Sequence, residues 1–238
     1  MTAERISYET ITEESCRSIN QDLASQDALG VIKWAYGAFG DELVYSCSFG
    51  AEGIVLIDLI SKVKEDAKLV FLDTHVHFKE TYELIERVKA RYPKLRIQII
   101  EPELTLEEQA KQYGDKLWLT NPDLCCRLRK VEPLKKALFG ARAWMSGLRR
   151  DQSASRANVE FVNIDHKFHS IKICPLIHWT WADVWMYIRT FDLTYNELHD
   201  RNYPSIGCEP CTRPVEGGGD SRAGRWSGSG KTECGLHL

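Results

Sequence analysis

The sequence predicts an α/β fold in which a parallel sheet carries helices on both faces. Two observations support this prediction. Short β-prone runs alternate with helix-length segments between residues 43 and 100, and a tight turn joins each strand to the helix that follows it. Sheets of this kind bind ligands at the carboxyl ends of their strands, so the loops after the strands are the first candidates for a site.

The first unit begins with the β-prone run LVYSCS (43–48), continues through the turn FGAE (49–52) and enters the apolar segment GIVLIDLISKV (53–63). The second unit has the strand LVFLD (69–73), a turn at Thr74 and a predicted helix over 79–91. A third strand, LRIQII (95–100), is closed by Pro102. The two loops at 46–52 and 73–77 should therefore lie at the same edge of the sheet.

A further helix is predicted to begin at Asn121, because asparagine caps helices and the following proline fits a first turn. The pattern then indicates a strand over 143–147, an arginine-rich loop, and two β-prone segments over 159–164 and 169–173. Tryptophans at helical spacing after residue 180 predict one more helix, packed into the core.

The last part of the chain has a different composition. The segment EGGGDSRAGRWSGSGK (216–231) is rich in glycine and nearly free of aliphatic residues, so it is expected to stay mobile until something orders it. The sequence therefore predicts one α/β domain over 1–215 and a flexible tail over 216–238.

Composition limits the classes of function. The 238 residues carry a net charge of −3, which argues against broad binding of nucleic acid or anionic membrane. Neither a leader nor an apolar run of membrane-spanning length is evident, and a cytoplasmic location is expected. Eight cysteines in such a compartment favour metal ligation or thiol chemistry over a disulfide framework.

Four of the cysteines form two pairs, Cys125 with Cys126 and Cys208 with Cys211. Four thiolates suit a tetrahedral metal or an iron–sulfur cluster, and adjacent cysteines fit two irons of a cluster better than one zinc ion. Four unrelated buried thiols are the alternative. Cys16, Cys47 and Cys174 have no such partners and are interpreted as small apolar side chains.

Cys234 stands near the end of the tail, in TECGLHL. A cysteine on a movable segment can reach a bound electrophile, and the nearby Arg222, Arg225, Lys231 and His237 would favour its thiolate as cations. The alternative is an exposed thiol on a frayed terminus.

The loop SCSFGAE (46–52) indicates an anion site at a helix N-terminus, although it lacks the lysine of a Walker loop.

Taken together, the motifs YSCSFGAEG, FLDTHVHFKETY, GLRRDQSASR, DSRAGRW and KTECGLH, with the two cysteine pairs, resemble a known family over nearly the whole chain. The chain is similar to the thioredoxin-dependent adenylylsulfate (APS) reductases of the PAPS reductase family, in particular to the bacterial assimilatory branch that holds an iron–sulfur cluster. The resemblance implies an adenine-nucleotide alpha-hydrolase-like (Rossmann-like) fold.

The resemblance also implies an oxidoreductase that converts APS to sulfite and AMP in sulfate assimilation and cysteine biosynthesis. Thioredoxin or glutaredoxin would be the partner, and Cys234 the nucleophile that becomes an S-sulfocysteine. The two cysteine pairs would hold a [4Fe-4S] cluster, which would act through electrostatics and positioning. A homo-oligomer is compatible with the sequence, which does not determine the oligomeric state.

Substrate contacts carry over to the positions that match the family's motifs. The serine loop would lie near the phosphosulfate, a second loop near the nucleotide, and one lysine between cluster and substrate. The implied residues are Ser46, Ser48, Gly50, Glu52, Asp73, Thr74, Lys130, Arg149, Arg156, Arg222, Arg225 and His237.

Three other functions remain compatible with the sequence. The enzyme could use PAPS instead of APS, or both. A zinc-stabilised nucleotide-binding or RNA-binding module would need zinc at the four cysteines and an idle Cys234. An ATP-dependent thiolation or amidation enzyme of the same fold would release pyrophosphate.

Overall fold

The structure is a computed structural model that describes residues 5–216, 221–229 and 231–237. The strands in this part of the chain are β1 (Leu43–Ser46), β2 (Lys68–Leu72), β3 (Arg96–Ile100), β4 (Ala143–Met145), β5 (Val162–Asp165) and β6 (Ser170–Ile173). They form one sheet in the order β3-β2-β1-β4-β6-β5.

Neighbouring strands run parallel from β3 to β6, which confirms the prediction for these strands. The prediction of a parallel sheet is wrong for β5, which pairs antiparallel with β6. The connection between these two strands spans only residues 166–169. Such a connection is too short for the crossover that a parallel pair requires, so the chain folds back as a hairpin.

The predicted helices are all present. The helices of the structure are α1 (Glu13–Leu23), α2 (Ala28–Phe39), α3 (Ala51–Ser61), α4 (Lys79–Arg91), α5 (Leu106–Tyr113), α6 (Leu117–Thr120), α7 (Pro122–Cys126), α8 (Glu132–Ala137) and α9 (Trp181–Thr190). The first two precede the part of the chain for which helices were predicted. They begin at side-chain caps, Thr12 for α1 and Asp27 for α2.

The sheet is covered on both faces because alternate residues of each strand point to opposite sides. In β1, Leu43 and Tyr45 pack into a large core with α1, α2, α3, α4 and α9. Val44, between them, packs on the opposite face with Trp144 and Leu134, the latter from α8. The predicted arrangement of helices on both faces is therefore confirmed.

Helices α7 and α8 are joined into one continuous helical segment by a π-helical turn over Arg127–Val131. The Asn121 side chain caps its start, accepting a hydrogen bond from the amide of Leu124 at 3.0 Å. A π turn rotates the residues after it relative to those before it, and such turns are frequent at functional sites. Here it follows the pair Cys125 and Cys126 directly.

The segment predicted to be a flexible tail has contacts with the body of the protein. Its described residues pack onto the body, where the amide of Trp226 donates to the carbonyl of Cys211 at 3.0 Å and that of Arg213 to Gly224 at 2.8 Å. A Cβ at Gly224 would clash with the Arg213 carbonyl oxygen, so glycine permits this close approach. Trp226 and Glu233 become almost fully buried.

Residues 1–4, 217–220, 230 and 238 lie outside the described part, including much of the glycine-rich segment. Among the helices of the described part, none combines the length and the apolar character needed to cross a bilayer.

Candidate active site

A deep cleft opens at the carboxyl ends of β1, β2 and β4. It has about 1310 Å³ of empty space, a figure that includes open solvent. Of the residues implied by the family's motifs, it is lined by Ser46, Ser48, Gly50, Glu52, Lys130, Arg149, Arg156, Arg222, Arg225, Cys234 and His237. The cleft lies where the order of the strands predicts a ligand site. The chain runs from β1 to β2 and β3 on one side of β1, whereas β4 pairs with β1 on the other side, and ligands bind where the strand order reverses in this way.

The serine loop connects β1 to α3 on one wall of the cleft. The Cys47 amide donates to the Val70 carbonyl at 2.9 Å, so the sheet pairing extends one residue past β1. Gly50 caps α3 in an extended conformation without a side-chain bond, which leaves the first amides of the helix for another acceptor. Burial raises the pKa of Cys47 to about 11, in agreement with its interpretation as an apolar side chain.

The guanidinium of Arg149 forms ion pairs with two carboxylates. It is 3% exposed, and its Nε and terminal nitrogens contact Glu52 Oε1 at 2.9 Å and Asp151 Oδ2 at 3.1 Å. Its guanidinium also lies 5.5 Å from the Trp181 ring. The geometry therefore makes Arg149 and Glu52 a buried ion pair that shapes the wall of the cleft, and it leaves Arg149 little capacity to bind a further anion.

Arg156 and Arg222 both contact Glu233 of the tail. Arg156 donates from Nε to Oε1 at 2.9 Å and from a terminal nitrogen to Oε2 at 2.7 Å, and Arg222 donates to Oε2 at 3.0 Å. A carboxylate thus lies where the resemblance implies contacts to the substrate. Glu233 was not singled out in the sequence, since one glutamate in a polar tail gives no signal of burial.

Cys234 lines the cleft with its thiol half-buried. Burial alone would lower the pKa of Lys130, but Cys208, Cys234 and Cys126 outweigh it and hold that pKa above its ordinary value. Lys130 is therefore a cation that lies between the tail cysteine and the cysteine pairs. Arg225 adds a second positive group, 4.5 Å from the Trp226 ring.

The expectation that His237 contributes a positive charge is wrong. Its ring stacks on Trp144, with centroids 5.9 Å apart and planes within 9°. Burial, reinforced by Lys172 and Arg156, holds the pKa of His237 well below its ordinary value, which disfavours the charged imidazole. Lys231, expected beside Cys234 as a free cation, instead pairs with Asp123 at the start of α7.

The four paired cysteines line one small pocket next to the cleft. Burial, followed by the effect of the neighbouring thiols, raises the pKa of Cys125 to about 12 and that of Cys211 to about 11. Such thiols stay protonated unless positive charge compensates them, as a metal centre does by coordination. The juxtaposition was predicted from spacing, and the π turn and the 208–211 loop produce it.

Two buried donors support a sulfur-rich group in this pocket. The indole Nε1 of Trp226 is buried without a partner among the described residues, and Trp226 lines the pocket. The Thr74 hydroxyl lies 3.2 Å from Cys208 Sγ. Arg129, 1% exposed, also lines the pocket and donates to the Thr74 carbonyl at 2.7 Å. Four thiols, a cation and an orphaned donor fit an anionic cluster better than four inert core cysteines.

Asp73 and Thr74 are not on the wall of the cleft. The Asp73 carboxylate accepts from Tyr82 Oη at 2.7 Å and from the His75 amide at 2.8 Å, while Thr74 faces the cysteine pocket. Their position near the nucleotide, implied by the family's motifs, stays a prediction. His77, from the same loop, does line the cleft.

A further cleft residue without an interpretable sequence signal is His199. Its Nδ1 donates to the Tyr203 carbonyl at 2.8 Å, so Nε2 is an acceptor, and this atom is buried without a partner among the described residues. Trp181 and Trp185 flank the ring. Its burial arises from contacts between segments distant in sequence, which no local pattern records.

His77 should make stability depend on pH. Burial lowers its pKa to about 4, against about 6.5 for an unfolded histidine. Between these values the unfolded chain binds a proton that the folded protein does not, so the free energy of unfolding should fall as pH drops from about 6.5 to about 4, by ~3 kcal/mol at most. Chemical denaturation of His77→Gln should show a flatter profile than wild type. The exposed His178→Gln is the control, and a wild-type slope in H77Q would contradict the assignment.

Comparison with known proteins agrees with this geometry. Residues 42–214 match the family described as the phosphoadenosine phosphosulfate reductase domain. The chain is 66% identical over 219 residues to the adenosine 5'-phosphosulfate reductase of Halalkalibacterium halodurans, covering 92% of this chain and 95% of that one. It is 60% identical over 234 residues to adenosine 5'-phosphosulfate reductase 2 of Bacillus subtilis, covering 98% of each.

Solved structures confirm the predicted fold class. The phosphoadenylyl-sulfate (PAPS) reductase of Candida auris, in a phosphate complex, superimposes with a TM-score of 0.74 at 35% identity, over 87% of this chain and 98% of that one. An FMN adenylyltransferase of Candida glabrata shares the fold alone, with a TM-score of 0.61 at 17% identity over 88% and 71%. The match over most of the chain and the high identities show that this chain belongs to the phosphoadenosine phosphosulfate reductase family.

Proposed function

We propose that this protein reduces APS to sulfite and AMP, with thioredoxin as the electron donor. The observation that carries the proposal is the position of Cys234, on the wall of a cleft that also holds the serine loop, Lys130 and Arg225. A thiol in such surroundings is suited to attack an anionic, electrophilic substrate. The relatives with high identity are named for APS, which favours that substrate over PAPS.

The reaction balances in two steps. The Cys234 thiolate attacks the sulfur of APS, the bond from sulfur to the bridging phosphate oxygen breaks, and AMP leaves with the electron pair. A thioredoxin thiolate then attacks Cys234 Sγ, sulfite leaves, and the second thioredoxin thiol reduces the resulting mixed disulfide. Lys130 and Arg225, both on the cleft wall, offset the charge that develops on the leaving phosphate.

The two cysteine pairs are proposed to hold a [4Fe-4S] cluster, with Lys130 between them and the substrate. When bound, the cluster supplies negative charge that orients this lysine, and thioredoxin supplies both electrons. The residues that surround the pocket, Thr74, Arg129 and Trp226, offer donors to its sulfur atoms.

We also propose that residues 216–238 act as a catalytic tail on a body formed by residues 1–215. Thioredoxin is a protein and must contact a sulfur that is half-buried in the docked tail, so the tail has to leave the cleft between the two steps. Reduced thiols are needed throughout, which is consistent with a cytoplasmic location.

Sulfur-labelled APS tests the proposal directly. Anaerobically prepared protein, given labelled APS without thioredoxin, should retain label on Cys234 after denaturation and release it as sulfite when thioredoxin is added. ATP in place of APS should yield no pyrophosphate. Absence of label from protein with its metal centre intact would contradict the proposed chemistry.

Substrate preference can be measured in the same assay. We expect kcat/KM for APS to exceed that for PAPS by at least about tenfold, a difference of ~1.4 kcal/mol in transition-state binding. The ratio is measured from sulfite release at low substrate concentration. A preference for PAPS would assign the protein to the activity for which the Candida auris structure is named.

A further inference from the structure

Glu233, the residue before Cys234, is held in the body of the protein although it belongs to the tail. It is 4% exposed. Both of its oxygens are used, in two parallel hydrogen bonds of 2.9 and 2.7 Å from Arg156 and a third of 3.0 Å from Arg222. A carboxylate in a planar guanidinium fork is among the strongest and most directional contacts in proteins.

The guanidinium that binds this carboxylate is itself held by the body of the protein. Arg156 belongs to the loop between β4 and β5 and is itself 7% exposed. Its remaining terminal nitrogen donates to the Gln152 Oε1 atom, which also accepts a hydrogen bond from the Arg149 backbone amide at 3.0 Å. The Gln152 Nε2 atom in turn donates to Glu52 at 2.9 Å. The fork is therefore fixed by a network that reaches the serine loop.

Docking Glu233 also positions its neighbour. Consecutive Cα atoms are ~3.8 Å apart, so a clamped Glu233 leaves Cys234 only a short arc along the wall of the cleft. Two backbone carbonyls beside it are also held, that of Thr232 by Arg222 at 2.9 Å and that of Gly235 by Lys167. Glu233 is the buried ionic contact that directly adjoins Cys234.

We infer that Glu233 is a positioning residue, which docks the catalytic tail on Arg156 and Arg222 and so presents the Cys234 thiol to the substrate. The inference rests on the proposed function for the identity of the nucleophile, whereas docking itself can be measured without turnover.

An alternative has the opposite kinetic consequence. If the substrate's own anion must occupy the two arginines, Glu233 competes with it, and its removal should lower KM with kcat unchanged. If Glu233 positions the thiol, its removal should lower kcat with KM for APS nearly unchanged, because ground-state binding is not affected.

The test compares Glu233→Gln with Glu216→Gln in the full-length protein. Both substitutions remove one negative charge from the tail, but Glu216 is exposed. Trypsin cleavage after Lys231, followed by mass spectrometry without substrate, reports docking. We expect E233Q to accelerate this cleavage by about tenfold or more, since one partner of a buried charge pair is lost, and E216Q to stay within about twofold of wild type.

A double-mutant cycle identifies the partner. Arg156→Gln should accelerate cleavage, and the double variant should cleave no faster than E233Q, because E233Q already removes the contacts of Glu233 with both Arg156 and Arg222. Equal melting temperatures and iron contents would separate this effect from global unfolding.

Two results would overturn the inference: wild-type cleavage rates in E233Q, or a lowered KM with unchanged kcat. Faster cleavage in E233Q from a protein that never labels on Cys234 would leave the docking intact and refute the proposed function instead.

Discussion

Replacing Cys234 with serine is expected to reduce turnover of APS by about four orders of magnitude or more, because a serine hydroxyl is a far weaker nucleophile than a thiolate and cannot form the sulfur–sulfur bond of S-sulfocysteine that thioredoxin would resolve. Cys234 is half-buried on the cleft wall and is not among the cysteines that line the smaller pocket. The variant should therefore keep its fold, its iron and its affinity for AMP. Sulfite release under saturating thioredoxin is the measurement.

The control for this variant is Cys16→Ala. Cys16 is buried beside β5, where its Sγ contacts the Val162 carbonyl at 3.3 Å, far along the sheet from the cleft. Its activity should stay within a few-fold of wild type. Turnover in C234S comparable to that of C16A would remove the tail cysteine from the chemistry and revive the interpretation of an exposed, idle thiol.

Replacing Cys208 with serine is expected to eliminate the cluster and the activity together. Cys208 faces Thr74 at 3.2 Å and pairs with His77 in an isolated bridge, so it links the 208–211 loop to the loop after β2. Loss of one ligand from a set of four leaves the other thiols buried without compensation. Iron and acid-labile sulfide should fall from about four of each per chain to near zero.

Metal analysis of the wild type also discriminates between functions. One zinc per chain with no iron or sulfide would favour the zinc-stabilised binding module, since zinc alone satisfies four thiolates. Iron retained in C208S at the wild-type level would show that this cysteine is not a ligand. The C16A variant again controls for the loss of an unrelated buried thiol, and its iron content should not change.

Much of the fold was predictable because it depends on local patterns. The strand–turn–helix units and the capped start at Asn121 appear where periodicity and capping chemistry place them. The antiparallel β5 was not predicted, because strand direction follows from the length and path of a connection. The packing of the tail was not predicted for a related reason: Trp226 is buried against the cysteine pocket, whose residues lie far away in the sequence.

The same distinction between local and long-range determinants applies to the candidate site. The sequence by itself determined which residue types were available: two cysteine pairs, a thiol near the terminus, a serine loop and several arginines, and with them the family. Only the tertiary structure decided how their charges are used. It pairs Arg149 with Glu52, docks Glu233 on Arg156 and neutralises His237 by burial. The reason is physical: the charge of a side chain and the number of hydrogen bonds it can still make depend on desolvation and on partners that lie far away in the sequence.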